Sequence, residues 1–138
     1  MVDFEYFILK GDVKKQQKDE TLSRALIRES LDRLKFVKSL GVNETNAKYI
    51  VENSYDVLRE LIESKLALEG FKSYSHEATI IFLKRFPNFK ESEIKTMDNL
   101  RKIRHGIKYY GKNVDANKAK EILDFTNYFL QKLKSLIQ

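Results

Sequence analysis

With 138 residues, 42% of them hydrophobic and 33% charged, the chain has the size of one domain with a real core and a well-hydrated surface. One proline and five glycines punctuate the chain too rarely for a sheet of many short strands, and the lack of cysteine excludes a disulfide framework and a thiolate metal site. The net charge of +6 permits a nucleotide or nucleic-acid partner without requiring one. No run approaches the roughly 20 apolar residues of a membrane span, so a soluble, cytoplasmic protein with no membrane contact is expected.

Residues 1–18 form the least regular stretch. Asp3 to Leu9 reads as a short helix stopped by Gly11, and Lys14-Lys15-Gln16-Gln17-Lys18 as a polar connector that either packs back or reaches a partner. A helix then runs from about Asp19 or Thr21 to Leu40, with Gly41 as its stop. Leu22, Ala25, Leu26, Val37 and Leu40 form one stripe on it and Ile27, Leu31 and Leu34 a second, which predicts a helix wedged between two neighbours.

A longer helix spans about Glu44 to Glu69, capped by Asn43 or Thr45 and ended by Gly70. Its Tyr55, Arg59 and Glu63 lie on one line at i, i+4 and i+8. That line is a solvated stripe, or a structural ion pair, or a row that faces the later basic helix and orients side chains there. A third helix starts near Ser73 or Ser75 and breaks at Phe86, because the residue before Pro87 is pushed out of the α region. His76, in its first turn, reads as a capping or surface residue rather than a ligand.

A fourth helix is expected from about Glu91 to Tyr109, ended by Gly111, and a fifth from the cap Asp115 to about Ile137. No stretch sustains a period-2 alternation. Short loops between long helices imply antiparallel neighbours. The predicted fold is therefore all-α, an antiparallel up-and-down helical bundle of four to five helices over residues 19–138, preceded by the N-terminal segment 1–18.

The fourth helix carries the densest set of phosphate-capable side chains. At 100° per residue, Met97, Leu100, Ile103 and Ile107 fall on one side, and Asp98, Arg101, His105 and Lys108 on the other. Arg101 and His105 are one turn apart and can address one ligand. Asp98 can hold the Arg101 guanidinium. Arg104 lies between the two faces, its stem over the core and its head free to reach solvent or an acid. Lys102 adds charge, and Tyr109 and Tyr110 extend the surface where bases could stack.

Metal-free RNA cleavage needs a group that takes the 2′-hydroxyl proton, one that protonates the leaving oxygen, and a cation for the phosphorane. Histidine and arginine suit those roles. The same spacing equally describes a solvated basic face near a helix C-terminus, where cations gain from the helix dipole. Two separated histidines and scattered carboxylates form no metal-ligand cluster, so neither a metal nor another cofactor is expected.

Three segments, in this order and spacing, resemble the HEPN domain family (higher eukaryotes and prokaryotes nucleotide-binding). They are Ser54-Tyr55-Asp56-Val57-Leu58-Arg59-Glu60-Leu61-Ile62-Glu63, Gly70-Phe71-Lys72-Ser73-Tyr74-Ser75-His76-Glu77, and Leu100-Arg101-Lys102-Ile103-Arg104-His105-Gly106-Ile107-Lys108-Tyr109-Tyr110-Gly111. The resemblance covers roughly residues 20–137. It implies a helical bundle, commonly a homodimer, that often accompanies a minimal nucleotidyltransferase as toxin to its antitoxin. Many members are metal-independent ribonucleases. It further implies catalytic roles for Arg101 and His105, RNA or nucleotide contacts from Lys102, Arg104, Lys108, Tyr109 and Tyr110, and supporting places for Asp98, Tyr55, Arg59 and Glu63.

The chain departs from the family's ribonuclease motif, which has four to six residues between its arginine and histidine. Here only three residues separate Arg101 from His105, and Lys102 stands where ribonuclease members often carry an amide. The fold thus carries over, and the ribonuclease activity does not carry over with it. The alternative is a non-catalytic module that dimerises or docks a partner. A cleft lined by Arg101 and His105 from two subunits is the mark of the first reading. Arg101 tied to Asp98 or Glu63, with His105 outside any cleft, is the mark of the second.

Overall fold

The longest helix of the chain is also its centre. In the computed structural model, which describes residues 2–137, this helix spans Ala47–Glu69 and buries thirteen of its 23 residues, on more than one face. A helix apolar over so much of its circumference needs neighbours on several sides. In chain order the elements are α1 (Phe4–Lys10), β1 (Val13–Lys15), α2 (Glu20–Ser39), α3 (Ala47–Glu69), β2 (Phe71–Ser73), α4 (His76–Ile81, continued by a 3-10 turn over Phe82–Arg85), α5 (Glu91–Tyr110) and α6 (Ala116–Ile137). Helices α2 and α6 lie along α3, and α4 and α5 pack on it as well.

The fold is the expected all-α one, with one addition. β1 and β2 pair antiparallel, Val13 opposite Ser73 and Lys15 opposite Phe71. Three residues per strand are too few to write a period-2 pattern, which is why Lys14 and Lys15 read as a connector. The pairing draws residues 2–18 onto the bundle, with Phe4, Phe7 and Val13 buried in the same core as Phe82. Gly70 holds the crossing point. It ends α3 at φ +82°, and its carbonyl accepts the Gln16 N–H at 2.9 Å. A Cβ there would meet the Gln16 carbonyl oxygen at 2.8 Å.

The predicted stripes of α2 are shifted. Its buried line runs through Ser23, Ser30, Leu34 and Val37, whereas Leu22, Leu26, Ile27 and Leu31 are only half-buried. Serines on that line admit a close neighbour, so the larger apolar groups flank the contact with α3 rather than centre it. Beside it, Arg33 donates to Glu60 at 2.9 Å and Asn53 at 3.0 Å on α3.

Helix α6 also differs from a simple hairpin partner of α5, since its main packing is along α3. The two helices face each other across a cleft and are tied at one end by Glu93. This carboxylate is buried near the start of α5. It accepts the Lys90 N–H at 2.8 Å, the Lys132 ammonium at 2.8 Å and the Tyr128 hydroxyl. Burial opposes its charge, but those three donors outweigh it and hold the carboxyl down at about 2. Among the described residues no helix is long and apolar enough to cross a membrane.

Candidate functional site

Helix α5 presents its basic residues as their spacing requires. Met97, Leu100 and Ile107 are buried, Ile103 is half-buried, and His105 and Lys108 are exposed. Asp98 takes the Nε–H of Arg101 at 2.7 Å, and Lys102 Nζ stands 3.6 Å from its other oxygen. This leaves both Nη groups of Arg101 without a protein hydrogen bond among the described residues.

Arg104 turns the other way. Its side chain is 12% exposed, its Cζ lies 5.6 Å from the centroid of the Tyr55 ring, and one Nη is 3.7 Å from Asp56. Its Nε is buried without a partner.

Helix α3 supplies the floor under these arginines. Asp56 also accepts from Arg59 at 3.3 Å and 3.4 Å, and Arg59 donates to Glu63 at 2.9 Å. Burial opposes the Arg59 charge, yet Glu63 and Asp56 more than offset it and hold its pKa above the ordinary value. The line Tyr55, Arg59, Glu63 is therefore an ion pair at its far end and not a solvated stripe at its near end, since Tyr55 is fully buried. Asp56, which no periodicity singles out, links this row to α5.

The Tyr55 hydroxyl meets His76 Nδ1 at 3.0 Å, with the two rings within 14° of parallel. His76 is the first residue of α4, and Ser75 caps that turn by accepting from Ala78 N at 3.2 Å. Burial pushes the Tyr55 phenol well above its ordinary range, although Arg59, Arg101 and Arg104 pull the other way. Partial burial, followed by the charges of Arg59 and Arg104, lowers His76 below the ordinary imidazole value.

These elements enclose one cleft of about 190 Å³, lined by His76, Arg101, Arg104, His105 and Tyr109. The His105 ring lies 4.7 Å from that of Tyr109 and 5.6 Å from that of Tyr110. A larger cleft of about 350 Å³ lies beside it, but its wall mixes Glu77, Glu91 and Asp98 with Lys95 and Lys102, so it carries no consistent charge for a phosphate. In the smaller cleft every titratable wall residue is a cation, a histidine or a tyrosine.

The sequence-predicted residues thus divide into three groups. Arg101, Arg104, His105 and Tyr109 border the cleft, while Asp98, Tyr55, Arg59 and Glu63 hold or flank its wall. Lys102, Lys108 and Tyr110 stand outside the lining and exposed. His76 and Asp56 are the additions. His76, expected from its first-turn place to be a cap or surface group, is exposed and also borders the cleft. Arg101 is tied to Asp98, as the docking reading expects, while His105 borders a cleft with Arg101 within one chain rather than lying outside any cleft. Among the described residues no group of three or more histidines or carboxylates is placed to share a metal ion. No family model matches the chain, and no curated protein or solved structure matches it.

Proposed function

We propose that this chain is a HEPN-type bundle that binds the phosphate of RNA or of a nucleotide between α4 and α5, with metal-independent RNA cleavage as its chemistry. The observation that carries the reading is the single cleft bordered by Arg101, Arg104, His76, His105 and Tyr109, with no carboxylate in its lining. The two unengaged Nη groups of Arg101 form a fork suited to two non-bridging phosphate oxygens. An exposed His105 suits transfer of the 2′-hydroxyl proton. In that step the 2′-oxygen attacks phosphorus, the bond to the 5′-oxygen breaks, and the leaving oxygen takes a proton as a 2′,3′-cyclic phosphate forms. A homodimer would bring a second His105 for that last proton, and both the dimer and a nucleotidyltransferase partner rest on the family resemblance.

The test is RNA binding and cleavage in excess chelator, comparing the wild type with Arg101→Ala and His105→Ala. Activity should survive chelation, and both substitutions should abolish cleavage while Arg101→Ala also weakens binding. Activity unchanged in both variants refutes the assignment. The alternative, a non-catalytic docking module, draws on the partly satisfied cations and on Tyr109 and Tyr110, which are 60% and 70% exposed. A wild type that neither binds nor cleaves RNA would favour that module.

A further inference from the structure

The two histidines of the cleft are held differently. Tyr55 is fully buried, and among the described residues its hydroxyl has one partner, Nδ1 of His76. A phenol carries one hydrogen, and leaving a buried donor unmatched forfeits the full desolvation of that group. The hydrogen therefore goes to Nδ1, the one partner the hydroxyl has among the described residues. A neutral imidazole that accepts at Nδ1 must carry its own proton at Nε2. Nδ1 and Nε2 lie on different edges of the ring, so Nε2 points away from Tyr55, and His76, an exposed residue, borders the cleft.

We propose that His76 is a neutral hydrogen-bond donor for a phosphoryl oxygen, its tautomer set by Tyr55, and that it binds the ligand without exchanging a proton with it. The proposal rests on the reading of this cleft as a phosphate site and divides the labour within it. His105 has no comparable anchor: the rings of Tyr109 and Tyr110 lie beside it, and among the described residues it has no hydrogen-bond partner that would fix its tautomer.

The charges around His76 fit the role. From α3 it faces Tyr55, Asp56, Arg59 and Glu63, and from α5 Arg101, Arg104 and His105 share its cleft. Arg59 and Arg104 disfavour a further positive charge on the ring more than Glu63 and Asp56 favour it. The site thus presents cationic arginines for the anion's charge and one uncharged N–H for its orientation.

Two measurements test the proposal. Long-range nitrogen–proton NMR of the wild type at pH 7 should show His76 neutral and protonated at Nε2, and Tyr55→Phe should abolish that single-tautomer signature. Binding should be followed with a short fluorescent 2′-O-methyl oligonucleotide, which cannot be cleaved. His76→Ala should weaken binding about tenfold, the usual worth of one hydrogen bond to a charged group. His76→Gln, which keeps an N–H near the same place, should recover most of it and leave the pH profile of cleavage unmoved. An Nδ1-protonated or charged His76 at pH 7 overturns the proposal. Binding lost in Arg101→Ala but untouched in His76→Ala overturns it while leaving the cleft reading intact. A wild type that does not bind the probe overturns both.

Discussion

Asp56→Asn tests whether the floor of the cleft is an electrostatic device or only a scaffold. Among the described residues Asp56 is the one carboxylate paired with Arg104, whose side chain is 12% exposed, at 3.7 Å. Unit charges at that distance interact by about 4 kcal/mol at the effective dielectric of a protein surface. The Asp56 side chain is 17% exposed, so part of that is screened, and Arg59 keeps Glu63 at 2.9 Å when Asp56 is neutral. The expected loss is about 2 kcal/mol, between an exposed pair and a fully buried one. Urea unfolding should show this as a lower midpoint with an unchanged slope. Arg104→Met placed on top of Asp56→Asn should restore about 1 kcal/mol, because it removes a charge left without its partner while keeping an apolar stem over Tyr55. A loss under about 0.5 kcal/mol, or strict additivity of the two substitutions, would refute the reasoning.

Two further outcomes follow from the geometry. Gly70→Ala should cost about 3 kcal/mol, or about 10 °C in the thermal midpoint, because the left-handed backbone is compounded by a Cβ set 2.8 Å from the Gln16 carbonyl oxygen. Gly11→Ala is the control, since its φ of +91° is similar but a Cβ meets nothing within 4 Å, and it should cost only about 1 kcal/mol. Glu93, held at about 2 against an ordinary 4.5, stabilises the fold fully above pH 4.5 and loses that contribution as pH falls from 4.5 toward 2. Glu93→Gln should therefore lower stability near neutral pH and flatten the acid limb of a stability–pH curve in that window.

What the sequence made legible is what local chemistry determines. Asp19 and Asp115 cap their helices through their own side chains, accepting from Leu22 N at 2.9 Å and Lys118 N at 2.7 Å. Gly11, Gly70 and Gly111 end theirs in the left-handed region, and Phe86 before Pro87 is extended. The two faces of α5 follow from periodicity alone. What could not be read depends on partners distant in the chain. The β1–β2 ladder is too short to show a pattern. The packed line of α2 runs through serines, which an apolar stripe ignores. His76 looks like a lone first-turn residue because the hydroxyl that gives it a role belongs to Tyr55, 21 residues earlier. Asp56 is hidden in the same way, since its link to α5 is a contact with Arg104 on another helix.

The short spacing between Arg101 and His105 acquires a physical sense from this arrangement. Residues four apart on a helix are offset by about 40° around the axis and about 6 Å along it. They form a strip, and a strip touches one side of a phosphate group. A phosphate oriented in this cleft would need a second wall, and the residue that α4 supplies to the lining is His76. Tyr55 joins the two walls, with its hydroxyl on His76 and its ring face under Arg104. Tyr55→Phe therefore separates geometry from chemistry. It keeps the ring under Arg104 and should cost the fold only about 1 kcal/mol, the net worth of one hydrogen bond. It also frees His76 to take either tautomer, so ligand affinity should fall by more than the small loss of stability explains. Equal binding by Tyr55→Phe and wild type would place the second wall elsewhere and leave Arg101 and His105 as an open strip.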